Sequence, residues 1–174
     1  MTPIYSIGHS DRKFKDFLSL LKENDIEVLV DIRRFPDSDV YSSYCREELK
    51  KTLDRKGIKY LWKGDVLGGY REENLEERSP NDGWDVTGFK TYADHALSDE
   101  FQQELKQLIE MSNSKNIAIM CAESIYWRCY RRILCAWLVT KGKKVVHLRK
   151  GEEKEHEITA RAVVEDGKVI YPED

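Results

Sequence analysis

The sequence contains no CxxC pair, no apolar run near the ~18 residues a membrane span needs, and no surplus of either charge sign. Each absence removes a class of protein. The four cysteines, Cys45, Cys121, Cys129 and Cys135, lack the dense spacing of a disulfide framework. His9, His95, His147 and His156 are scattered, with none at a short ligand spacing from a cysteine, which counts against structural zinc; no metal is expected. The opening MTPIYSIGHS has neither the basic n-region nor the long apolar h-region of a signal peptide, so the expectation is a cytoplasmic protein without a membrane partner. With 29 Lys and Arg against 32 Asp and Glu, a formal charge of −3, no global basic field drives nonspecific nucleic-acid binding. There is no Walker P-loop, no GxGxxG and no internal repeat. Six residues separate Cys121 from Arg128, one more than the Cys-x5-Arg loop of cysteine phosphatases has, and a rhodanese-type loop fits no better.

What is present reads as alternating strands and helices. PIYSI at residues 3–7 is a short β-branched and aromatic run ending at Gly8, and the following KFKDFLSLLKEND repeats Phe14, Phe17, Leu18 and Leu21 at helical spacing. IEVLVDI at 26–32 is nearly continuous apolar sequence, as in a strand covered on both faces. A loop with Pro36, a helical stretch REELKKTLDRKG and a third strand IKYLWKG come next. Residues 65–88, with their glycines, Pro80 and the acidic run Glu72–Glu77, have no period and read as one long loop, either a functional lid or a solvated excursion.

From Phe89 to Met111 the pattern is helical, with a break and N-cap near Ser98 or Asp99. NIAIMCAE at 116–123 is a further strand, after which IYWRCYRRILCAWLVTKG is expected to run as a helix to Gly142. KKVVHLRK supplies the last core strand. Alternation around Asp166-Gly167 predicts a β-hairpin over 156–171, with the sheet edge as one place for it. This order predicts one α/β domain over 1–174: a three-layer open, mostly parallel sheet with helices on both faces and a C-terminal hairpin.

In such sheets ligands bind beyond the carboxyl ends of the strands. Three loops lie there. In the first, His9 and Ser10 stand at the expected mouth of a helix, where free N–H groups attract anions; Ser10 or Asp11 as a plain N-cap is the blander alternative. In the second, Asp31, Arg33, Arg34, Pro36 and Ser38 combine an acid with guanidinium groups suited to phosphate or carboxylate, or to an internal pair holding the loop. The third, from Cys121 to Arg132, carries Glu123, Arg128, Cys129 and Arg131. A thiol beside arginines at a helix start is a candidate nucleophile, although buried cysteine more often packs. Glu123 is a candidate acid or base or an anchor for the arginines, and Tyr126, Trp127 and Tyr130 are either a stacking platform or core.

The motifs IYSIGHS, VLVDIRRFPDS, Gly57 to Tyr60, Leu67 to Gly69 and MCAESIYWRCYRR, in this order, resemble the domain-of-unknown-function 488 family over most of the chain. The resemblance implies site roles for His9, Ser10, Asp31, Arg33, Pro36, Ser38, Gly68, Gly69, Cys121, Glu123, Cys129 and Arg131, and His156 also suits the family's pattern. Where the family usually reads CHR, this chain has Cys129, Tyr130 and Arg131, so a tyrosine replaces the histidine. If that histidine is catalytic in relatives, this chain is altered at that step.

The resulting expectation is an anion site in which Glu123, His9 and Cys121 are the catalytic candidates. Ser10, Asp31, Arg33, Ser38, Gly68, Gly69, Cys129 and Arg131 would then bind an anionic small molecule or nucleotide. The alternative is a noncatalytic nucleic-acid module using Arg33, Arg34, Arg128, Arg131 and Arg132. No cofactor is specified by the sequence.

Overall fold

A computed structural model of the chain describes residues 2–38, 40–73, 76 and 78–173. Asn74, Leu75 and Glu77 lie outside them, and with them part of the acidic run; the backbone of Ser38 is described, its side chain is not. The chain runs β1 (Ile4–Gly8), α1 (Phe14–Glu23), β2 (Val28–Asp31), α2 (Arg46–Arg55), β3 (Lys59–Trp62), α3 (Gly64–Leu67), α4 (Thr87–His95) and α5 (Asp99–Ser112). It continues through β4 (Ile117–Cys121), α6 (Arg131–Thr140), β5 (Val145–Arg149), β6 (Glu152–Glu155), β7 (Val163–Glu165) and β8 (Lys168–Ile170).

Six strands form one sheet in the order β3-β2-β4-β1-β5-β6, parallel throughout except for the antiparallel β5–β6 pair. The apolar runs of β1, β2 and β4 are buried on both faces, as their composition requires. Val28, Val30, Ile32, Ile117 and Ile119 pack on the face carrying α4, α5 and α6; Leu29, Ala118 and Met120 pack on the face carrying α1 and α2. The fold is therefore the expected α/β architecture.

Four details differ from the expectation. The helix after β4 begins only at Arg131; a short 3-10 turn, Tyr126–Arg128, and an extended Cys129 (φ −124°, ψ 147°) precede it. The long loop is shorter than 65–88, because α3 takes its first residues and α4 its last. The strand β6 is new: its sequence EEKE has no apolar residue to announce it, and it occupies the sheet edge, where charge discourages further pairing. The hairpin is present but confined to β7 and β8, and it forms a separate two-stranded sheet whose Val169 joins the core beside α6. Ser98 caps α5 as expected, accepting from the N–H of Phe101.

Register places the site. Gly8 sits beside Cys121 and Asp31 beside Met120, so β1, β2 and β4 end level with one another and their three following loops meet. No helix is long and apolar enough to cross a membrane among the described residues.

Candidate functional site

The floor of the site is built on Asp31, which is fully buried at the end of β2. Its carboxylate accepts from Arg33 Nε at 2.9 Å, Arg33 Nη2 at 2.8 Å and the Arg33 backbone N–H at 3.1 Å. The hydroxyl of Tyr60, on the neighbouring β3, donates to the same carboxylate. Burial and the adjacent Asp31 push the Tyr60 phenol well up, so it stays a donor. Arg33 Nη1 then reaches His9 Nε2 at 3.3 Å. His9 Nδ1 lies 2.9 Å from the Ser10 carbonyl, which only accepts, so Nδ1 carries the proton and Nε2 offers its lone pair to Arg33. The His9 ring stacks on Tyr44 with centroids 4.3 Å apart.

The wall is the turn between β4 and α6. Cys121 Sγ lies 3.1 Å from Cys129 Sγ and receives Arg131 Nη1 at 2.5 Å. Arg131 also donates to the carbonyls of Ile7 and Glu123, at 3.2 and 2.9 Å, and its backbone N–H donates to Cys129 Sγ at 3.3 Å. A buried guanidinium requires a compensating anion. Arg131 is 1% exposed, and no carboxylate pairs with it among the described residues. The side-chain atom that faces it is Cys121 Sγ. Burial opposes its ionisation, but the hydrogen bond from the Cys129 thiol and the charge of Arg131 bring it down to about 7. Cys129, which keeps the proton of the pair, is pushed up by Cys121 and by burial.

Above floor and wall lies a cleft of about 880 Å³. Its lining includes His9, Arg33, Cys121, Glu123 and Cys129, with Arg34, Arg71 and Arg128 around them. Phe35 and Tyr70 form an aromatic rim, ring centroids 5.5 Å apart and 56% and 79% exposed.

A match to the family described as Domain of unknown function DUF488 covers residues 13–138, more than half of the chain. The chain belongs to the DUF488 family. Comparison with curated proteins and with solved structures finds no match.

In this DUF488 chain the cleft brings together His9, Ser10, Arg33, Gly69, Cys121, Glu123 and Cys129 from the sequence-derived set. Asp31, Gly68 and Arg131 stand behind it rather than in its lining. Arg131, expected to hold an anion from outside, instead faces inward to the thiol and two carbonyls. Ser10 is no helix cap: α1 starts at Phe14, and Ser10 adopts the left-handed region (φ 44°) while its N–H bonds Ala122 O at 2.7 Å. The anion-attracting helix mouth expected there is accordingly absent from that loop. Glu123 closes its own turn by accepting from the Ile125 N–H at 3.0 Å. Pro36 and Ser38 form a 3-10 turn past the arginines, with the Ser38 side chain outside the described residues. Gly69 touches Tyr130: a β-carbon there would come within 2.7 Å of the tyrosine ring. Tyr130 itself donates to Ile32 O at 2.8 Å, which ties the wall to the end of β2.

Sequence reasoning missed the rim. The available signal was a pair of large aromatics, Phe35 and Tyr70, each in polar loop sequence with no apolar periodicity to bury it. It also missed a second cluster, Cys135, His147 and His156, whose members are separate in sequence and adjacent in space.

Proposed function

We propose that the cleft binds a phosphorylated small molecule carrying a ring system, such as a nucleotide, and that Cys121 is the nucleophile acting on it. One observation carries this reading: a depressed thiol stands in a cleft lined by Arg33, Arg34, Arg71 and Arg128, with Glu123 the one carboxylate in the lining among the described residues. Guanidinium groups suit phosphate oxygens, and the Phe35–Tyr70 rim suits a flat ring. His9, with Nε2 turned toward Arg33, orients that guanidinium. In this reading the Cys121 thiolate attacks phosphorus, and an S–P bond forms as the bond from phosphorus to the leaving oxygen breaks, that oxygen taking a proton from solvent. Glu123, in the cleft lining, then takes a proton from the water that attacks the same phosphorus, and the S–P bond breaks to return the thiolate.

Thermal-shift and calorimetric titration with inorganic phosphate and with nucleoside mono- and diphosphates tests the binding. Nucleotides should stabilise the protein more than phosphate does, and Arg34→Ala with Arg128→Ala should abolish the effect while the fold persists. A flat response across this panel overturns the reading. Intact mass after incubation with a binding nucleotide should show an adduct on Cys121.

A noncatalytic nucleic-acid module draws less support. Of its five expected arginines, Arg33 and Arg131 are buried, and Arg132 lies over the Trp84 ring at 5.1 Å.

A further inference from the structure

On the α6 side of the sheet, one helical turn beyond Arg131 and outside the cleft lining, a second set of reactive side chains converges. Cys135 comes from α6, His147 from β5 and His156 from the segment after β6. One ligand atom from each lies within 4.8 Å of the other two, and the residues are 0, 3 and 6% exposed. His147 Nε2 and His156 Nδ1 are 2.8 Å apart. His147 Nδ1 is 2.9 Å from the Ser6 hydroxyl, directly across from it in the β1–β5 register. The Tyr126 ring stacks on His147 at 3.7 Å and meets His156 edge-on.

We propose that Cys135, His147 and His156 bind a zinc ion whose fourth coordination position opens to the adjacent cavity. Nitrogen ligands on a tetrahedral zinc stand about 3.3 Å apart, from Zn–N distances near 2.0 Å. Seating the ion therefore requires the two imidazoles to part by about half an ångström from their hydrogen-bonded spacing and Cys135 Sγ to close on them, while the proton shared by the rings moves to the other nitrogen of the imidazole that carries it. Ser6 supplies the outer partner that metal-bound histidines ordinarily have, holding the His147 ring and its tautomer.

The choice of ion follows from charge. Cys135 is the one member of the cluster able to bring a negative charge to a dication, by releasing its thiol proton to solvent as the ion binds. A thiolate with two imidazoles selects a thiophilic ion over magnesium or calcium. Entry is available through a cavity of about 280 Å³, lined by Trp127, Arg132, Lys154, His156 and Glu157 among others. Three protein ligands and an open position make this a reactive type of zinc site rather than a closed structural one.

Cobalt substitution tests the assignment on the full chain, without reference to the cleft. Chelator-treated protein given Co²⁺ should show a thiolate-to-cobalt charge-transfer band and the intense visible bands of tetrahedral geometry, and zinc should displace them. Cys135→Ser should abolish the charge-transfer band, and His156→Asn should weaken binding by roughly tenfold or more. Ser6→Ala should weaken it about 10–100-fold while leaving the band in place. The proposal is overturned if no thiolate band forms. It is equally overturned if the band survives Cys135→Ser, or if His156→Asn binds like the parent, since the ion would then sit on Cys121 and Cys129. Should Cys135→Ser fail to fold, the His156→Asn titration decides alone.

Discussion

Arg131 Nη1 lies 2.5 Å from Cys121 Sγ, and no carboxylate pairs with that guanidinium among the described residues. The arginine lowers the thiol toward neutral pH, so the pair gains its ionic character as pH rises through about 7.

Reactivity should report this directly. Cys121 in the folded protein ionises near about 7 rather than at the ordinary 9.0, so its alkylation rate should rise through pH 7 and level off well before pH 9. Residue-resolved mass spectrometry against pH measures it. Arg131→Met should move the inflection upward. The stability contribution has the sign of a depressed acid: complete above the unfolded value near 9 and lost as pH falls through about 7. Cys129 shifts the other way, so Cys129→Ser, which keeps a hydrogen-bond donor, is the background in which to read it.

Removing the anion should cost more than removing a packing group. Cys121→Ala leaves the Arg131 guanidinium buried without a counter-charge and should destabilise the fold by about 3–5 kcal/mol in urea denaturation. A loss near 1 kcal/mol would mean that the carbonyls of Ile7 and Glu123 suffice.

Asp31→Asn should behave similarly. It breaks a fully buried pair with Arg33 and the bond from Tyr60, for a loss of about 3–5 kcal/mol. Because Arg33 then loses its orientation toward His9, nucleotide stabilisation should fall as well, and the two losses are separable by comparing free and saturated denaturation midpoints.

The rim predicts the opposite combination. Phe35→Ala and Tyr70→Ala remove exposed rings and should change stability by no more than about 0.5 kcal/mol. Each should weaken binding of a nucleotide by about 1–3 kcal/mol while leaving the weaker response to inorganic phosphate unchanged, as calorimetry would show.

Legibility followed the range of the interaction. Strands and helices with an apolar period, such as α1 and β2, could be read because burial on a defined face leaves a local pattern. β6 left none, since EEKE is held by backbone pairing alone. The helix start was misplaced because Tyr126, Trp127 and Tyr130 have helical spacing with the core residues of α6, although Cys129 is extended. That His9, Arg33, Cys121 and Glu123 lie at neighbouring strand ends could be read from the order of elements, and the directions of their side chains could not. Whether Arg131 points out to a ligand or in to a thiol depends on Ile7 and Glu123, far from it in sequence or folded back over it. The meeting of Cys135, His147 and His156 depends likewise on β5 lying beside β1 under α6.

Gly8 ends β1 directly beneath the backbone of the turn after β4, where any β-carbon would collide with the Glu123 carbonyl. His9 and Ser10 add backbone bonds to Cys121 and Ala122 across the same contact. The thiol's surroundings therefore come into existence only when the beginning of the chain docks against a segment more than a hundred positions later. Loop closure of that span is entropically slow and confers nothing until it is complete. Until the first strand is seated, the turn after β4 lacks the contacts of Gly8, His9 and Ser10 that close over Cys121.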